Sequence, residues 1–133
     1  MESLKLLTQK ILNDLGCPDS ELSILITDDK HIEELNRKYL QRTGPTNVIS
    51  FSLQEGEFSN INPEILGDVV ISYDTALREA VQANMSFDER FYYLLIHGIL
   101  HIFGFDHENN EHDAEIMEKK TEELLNKYTN DLL

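Results

Sequence analysis

The stretch LLIHGILHIFGFDH, residues 94–107, sets the terms for everything around it. Residues 91–105 contain no Asp, Glu, Lys or Arg, in a chain with 25 Asp+Glu against 11 Lys+Arg and a formal net charge of −14. A segment so averse to water belongs inside. It falls short of the roughly 20 apolar residues that a bilayer requires and contains two His and two Gly, so the reading is a buried helix and not a membrane span. The question it raises is why ionisable rings stand in the most apolar part of the chain.

Ser86 followed by Glu89 gives the capping-box pattern, and the helix it announces should run to about Phe103. Gly104 can adopt the left-handed conformation that ends a helix and reverses the chain. On that helix His97 and His101, four residues apart, project from one face. The reversal at Gly104 can bring His107 back beneath them. The written pattern, H-x-x-x-H-x-x-G-x-x-H, has the ligand-and-glycine spacing of the metzincin zinc site. Three neutral imidazoles bind zinc, with Zn–N near ~2.0–2.1 Å, and leave one tetrahedral corner for water, as a catalytic site requires. A single histidine on an apolar helix is ordinarily a core residue bonded to a carbonyl. Three at this spacing favour a shared ion, because burying unpaired imidazoles is costly.

One piece of protease chemistry is missing. Metalloproteases place a Glu, the general base, directly after the first His. Here that position is Gly98, which suits the close approach of a strand backbone or a bulky substrate. Asp68 and Asp106 are the candidate replacements for the base, with Asp106 better suited to a turn or to orienting a ligand histidine. His31 and His112 fit no ligand spacing and read as surface residues. Glu108, Glu111, Asp113 and Glu115 crowd the start of the last helix, where the macrodipole favours negative charge. The Phe and Tyr residues around position 91 read as core.

Along the rest of the chain, Leu4, Leu7, Ile11, Leu12 and Leu15 recur at helical spacing after Ser3, an expected N-cap, and Gly16-Cys17-Pro18 stops the run. ELSILIT (21–27) predicts a strand, and Asp28 or Asp29 caps a helix carrying Ile32, Leu35 and Tyr39. VISFSL (48–53) and GDVVIS (67–72) predict two more strands, separated by a polar loop. Ser72 or Asp74 starts a helix through Ala76, Leu77, Ala80 and Val81 to about Asn84, and a last helix turns Ile116, Met117, Leu124 and Leu125 inward. The expected fold is α+β: a small mixed sheet of about four strands packed with about five helices around a zincin-like three-histidine site. At 133 residues, with no Pro-, Gly- or Ser-rich linker, residues 1–133 read as one domain. The N-terminus does not read as a secretory signal. The lone Cys17 fits a reducing cytoplasm, the expected location, and excludes an internal disulfide.

The acidic balance repels nucleic acid and anionic membranes on average, so a polyanionic partner needs a local basic patch.

With the motif in hand, the chain resembles the YbeY family of bacterial endoribonucleases and ribosomal RNA maturation factors. HGILHIFGFDH (97–107) matches the family's hallmark, and ELNRKYL (34–40), PTNVISF (45–51) and LGDVVIS (66–72) follow the family pattern in order. The resemblance implies a metal, usually zinc, on His97, His101 and His107, a cleft between the metal helix and the segment from Asn36 to Phe51, RNA as substrate and ribosome assembly as context. Two departures bear on mechanism. Many members carry an arginine after the tyrosine of the LNRKY stretch, where this chain has Leu40. Arg42, Arg37 or Lys38 is then the candidate phosphate-contacting cation, and Arg42 is the catalytic candidate taken forward with Asp68. Asn47 stands where many relatives have Asp, which removes one conceivable base.

The resulting expectation is a single-strand-specific, metal-dependent endoribonuclease acting on small-subunit rRNA 3′ ends and in ribosome quality control. Zn2+ is the expected cofactor, although three imidazoles also accept nickel, cobalt or copper. Rivals are a metallohydrolase of another class, such as a peptidase, and a non-catalytic ribosome-assembly factor whose metal clamps the last loop. Neither membrane nor DNA is expected as a partner.

Overall fold

A computed structural model describes residues 2–52, 65–105 and 110–129. In chain order they form α1 (Glu2–Asp14), β1 (Glu21–Thr27), α2 (Asp29–Leu40), β2 (Val48–Ser52), β3 (Ile65–Ser72), α3 (Tyr73–Gln82), α4 (Phe87–Ile102) and α5 (Glu111–Thr129). The sheet has the order β1-β3-β2, with β1 parallel and β2 antiparallel to β3. Five helices match the expectation. The described residues hold three strands where about four were expected, and Leu53, expected at the end of the second, lies outside them.

Sequence pattern and position agree within the sheet. The VVIS run of β3 is buried on both faces because it lies in the middle, whereas β1, at an edge, alternates between half-buried and exposed positions over most of its length. At Gly67, φ is +153° and a Cβ would collide with the Phe51 carbonyl oxygen, so only glycine allows β2 and β3 to meet there.

Helices cover both faces. On one, α4 lies across β2 and β3 with Leu95, Ile96, Ile99 and Leu100 fully buried. Its companions in this main core include Leu7 and Ile11 of α1, Val69 and Ile71 of β3, and Met117 and Leu124 of α5. On the opposite face Ile32 of α2 packs on Ile49 and Val70. The alternation of Val69 and Ile71 with Val70 is the strand period of two. Burial of these side chains, at roughly 25 cal/mol per Å² of apolar surface, is the main force holding the layers together.

Helix boundaries follow local chemistry. The side chains of Asp28, Ser72 and Ser86 accept hydrogen bonds from the backbone N–H groups of His31, Thr75 and Glu89. Two expectations shift. Ser3, read as a cap, sits inside the first turn of α1. Ile116, read as inward, is 44% exposed, because the buried stripe of α5 runs through Met117, Thr121 and Leu124, and Ile116 falls beside it. Leu77 and Val81 are likewise exposed, since the small Ala76 and Ala80 form the inward side of α3.

Asp29 joins α2 to α3. It accepts from the hydroxyls of Ser72 (2.6 Å) and Thr75 (2.5 Å) and pairs with Arg78 (2.7 Å), while its own backbone N–H donates to Asp74 (3.0 Å). Burial pushes the Asp29 carboxyl up, but the hydrogen bonds from Arg78, Ser72 and Thr75 outweigh it and hold the group at about 2. Asp14 does the same between α1 and α5: the Tyr128 hydroxyl (2.7 Å) and Lys127 (3.0 Å) donate to it and lower its pKa. Among the described residues, no helix is long and apolar enough to cross a membrane.

Candidate active-site cleft

The expected helix is α4, and its two histidines open onto a cleft. Arg90, Tyr93, His97 and His101 are half-buried residues at spacings of three, four and four on a helix otherwise almost wholly buried from Phe91 to Ile102. That spacing keeps them on one face, one or two turns apart. They line one wall of a cleft of about 470 Å³. The facing wall comes from the end of α2 and the segment leading into β2: Leu40, Arg42, Thr46 and Asn47, then Val48 and Ser50.

Local chemistry shapes that second wall. Gln41, at φ +56°, terminates α2 in the left-handed conformation, and the buried Asn36 donates from its side chain to the Gly44 carbonyl at 3.0 Å. The loop is thereby folded back so that Arg42 and Asn47 face α4. The segment from Asn36 to Phe51 forms the cleft wall that the family resemblance implied.

Gly98 explains how the walls come so close. A Cβ there would lie 2.8 Å from Val69 Cγ1, 3.0 Å from Val48 Cγ2 and 3.2 Å from Ser50 Oγ. The Ser50 hydroxyl donates to the Gly98 carbonyl at 2.7 Å. A glutamate at this position, the metalloprotease base, has no space. The strands do come close, as expected, but it is the side chains of Val69, Val48 and Ser50 that meet the glycine and not a strand backbone.

A polar chain crosses the cleft. Asn47 Nδ2 donates to both Glu79 carboxylate oxygens at 3.2 Å, and Asn47 Oδ1 accepts from the Val48 N–H at 2.7 Å. Arg90 donates to Glu79 Oε1 through Nε (3.0 Å) and Nη2 (2.8 Å). Its guanidinium carbon lies 4.9 Å from the centroid of the Tyr93 ring, and Tyr93 stacks on His97 with centroids 6.0 Å apart and planes at 15°. An amide at position 47 follows directly: a carboxylate there would face Glu79 with like charge. Burial raises the Tyr93 phenol above its ordinary value, reinforced by Glu118, so it stays neutral at physiological pH.

The residues singled out from sequence therefore fall into three groups. His97, His101 and Arg42 line one cleft. Asp68 is not among the lining residues: in β3 it has the parity of Val70 and pairs with Phe51, on the sheet face covered by α2, while its neighbour Val69 points toward α4. The strand alternation that buries Val69 against α4 thus puts Asp68 on the other side of the sheet from the cleft lining. Arg37 and Lys38 are exposed on the last turn of α2, outside the lining, with Lys38 over the Tyr39 ring at 5.2 Å. His107 and Asp106 lie outside the described residues. Sequence reasoning missed Arg90, Tyr93 and Glu79. For the first two a signal existed, since they continue the His97/His101 face toward the helix start.

Among the described residues no three His, Cys, Asp or Glu side chains converge on a point. The pair His97 and His101, one turn apart and open to a cleft, fits two of the nitrogen donors that a divalent transition metal takes. Just beyond it, Gly104 at φ +96° turns the chain, with the Phe105 N–H donating to the Leu100 carbonyl at 3.1 Å.

A small α+β domain with a histidine-bearing helix forming one wall of a polar cleft is the class these features define. Its fold is that of a solution structure from Thermotoga maritima, with a TM-score of 0.70 over 98% of this chain and 82% of that one, at 24% identity. The chain belongs to the YbeY family: the family model described as Endoribonuclease YbeY matches residues 1–129. Among curated relatives named Endoribonuclease YbeY, that of Syntrophotalea carbinolica is 53% identical over 94% of this chain and 84% of its own length. That of Syntrophus aciditrophicus is 51% identical over 88% and 74%, and that of Geobacter metallireducens 53% over 92% and 82%.

Proposed function

We propose that residues 1–133 form one metal-dependent endoribonuclease domain that cuts single-stranded RNA and matures small-subunit ribosomal RNA in the cytoplasm. The observation carrying this reading is the placement of His97 and His101 opposite Arg42 in one cleft, in a chain whose family is described as an endoribonuclease. Imidazole and guanidinium groups facing each other across a groove suit a phosphodiester, which brings its own negative charge to both.

His97, His101 and His107 are the proposed donors. They would hold a divalent ion, for which we propose zinc, whose chemistry there would be that of a Lewis acid able to bring the pKa of water to about 7. Arg42 on the opposite wall would neutralise charge on the bound strand, taking the part of the arginine that Leu40 replaces. Both walls also hold the RNA still: the Gly98 contact and the Asn47–Glu79–Arg90 chain leave little freedom to the side chains that line the cleft. Side chains so fixed present one defined surface to a bound strand and lose little freedom on binding it.

The test uses untagged protein, elemental analysis and a single-stranded RNA, with precursor small-subunit rRNA as the natural substrate. His97→Ala and His101→Ala should each lose bound metal and lower cleavage by about 100-fold or more, since even groups that merely orient metal ligands cost 10- to 100-fold. Variants that lose metal and still cleave at the parental rate would defeat the proposal. If they cleave nothing yet still support ribosome maturation, the non-catalytic assembly role takes its place.

A further inference from the structure

We infer that Arg90 is a second phosphate-binding group of the cleft, aimed by Glu79 and Tyr93 at the strand flanking the bond to be cut. The inference rests on reading the cleft as an RNA site. It is independent of which side chain supplies the third metal donor.

Arg90 stands at the open start of a helix whose remaining cleft residues are Tyr93, Leu94, His97, Gly98 and His101. Arg90 lines the cleft with its side chain 21% exposed, and its partner Glu79, 29% exposed, stands behind it outside the lining. A guanidinium has five N–H donors in a fixed plane. Two are used on Glu79 Oε1, from Nε and Nη2. The remaining three, two on Nη1 and one on Nη2, find no acceptor among the described residues. Glu79 itself is fixed from the other wall by Asn47, and the Tyr93 ring carries the guanidinium on its face. A long, flexible side chain has been given one orientation and keeps donors that no described residue accepts, which is how arginine recognises phosphate.

Position decides what Arg90 does. Seven residues separate it from His97, about 10.5 Å along the helix axis. A phosphate bound by Arg90 is therefore not the one at the histidines but one further along the strand. Such a contact holds the strand equally in ground and transition states, so its loss appears in KM and leaves kcat nearly unchanged.

The rival is purely structural: the Arg90–Glu79 pair ties α3 to α4 and nothing more. Cleavage kinetics and salt-dependent binding of a single-stranded RNA oligonucleotide separate the two, using R90M, R90K and the parent protein. For R90M, KM should rise by about 10- to 100-fold, the worth of a charge-assisted pair of hydrogen bonds, with kcat within about twofold. The slope of log K against log salt should become shallower by about 0.7, one phosphate contact on a single strand. R90K should restore the slope but only part of the affinity, because an ammonium lacks the fork. An R90M protein with the parental KM and slope overturns the inference, as does one whose loss of activity follows its loss of melting temperature while the slope stays unchanged. Should R90M fail to fold, R90K decides alone: parental KM in that variant overturns the inference. A parent protein that binds no RNA overturns this inference together with the proposed function, whereas a parent that binds and cleaves while R90M matches it overturns this inference only.

Discussion

Gly98 does by omission what no side chain could do. Its missing Cβ lets α4 settle against Val69, Val48 and Ser50 and closes the base of the cleft at the level of His97 and His101. Replacing it with alanine sets two effects against each other. Alanine favours the helix by about 1 kcal/mol, while forcing a methyl group to within 2.8 Å of Val69 Cγ1 and 3.0 Å of Val48 Cγ2 costs about 1–3 kcal/mol. The contacts involve β-branched residues packed between layers, which have little room to yield, so packing should win. Urea denaturation of G98A is expected to show a net loss of about 1–2 kcal/mol with an unchanged slope against denaturant. A variant as stable as the parent would mean that the strands move aside, and that the cleft is softer than it looks. At this scale the sequence was legible where chemistry imposes spacing: His97 and His101 could be paired from four-residue separation alone. The face that Asp68 occupies was not legible, because it depends on which neighbour is buried on which side, and Val69 and Val70 are both apolar.

At the scale of elements, caps were readable and cross-element bonds were not. Asp28, Ser72 and Ser86 all cap the helices that follow them, as their residue types suggested. Nothing local announces that Asp29 will accept from Ser72, Thr75 and Arg78, which lie more than forty positions away. That carboxylate gives a pH prediction. Its folded-state pKa of about 2 lies below the ordinary 3.8, so the unfolded chain takes up the proton first as pH falls. The stability it contributes is complete above about pH 4 and disappears as pH drops toward about 2. D29N should lose about 1–3 kcal/mol at pH 7, the range for hydrogen bonds to a charged group. Its urea midpoint should also decline less steeply than the parent's between pH 4 and pH 2. Parallel pH curves for the two proteins would show that Asp29 is no more stabilising folded than unfolded.

For the whole molecule, a net charge of −14 has to coexist with a polyanionic substrate. The proposed reading meets this locally, since Arg42 and Arg90 line opposite walls of the described cleft. Few cations mean few displaced counterions. With two phosphate contacts at about 0.7 each, RNA binding should weaken with a log–log salt slope near −1.4. Titration of a labelled single-stranded RNA across salt concentrations checks this, and a slope steeper than about −4 would place binding on another, more cationic surface. The chain by itself determined the α4 helix, its histidine face, the limits of most elements and the α+β class, because each depends on periodicity, capping or turn chemistry within a few residues. The family resemblance already implied the facing wall; only the tertiary structure decided that Arg42 and Arg90 share the cleft with the histidines and that Asp68 is not in its lining. These are relations between residues distant in sequence, set by how α4 packs across β2 and β3 in the main core and by which side of each strand that packing buries.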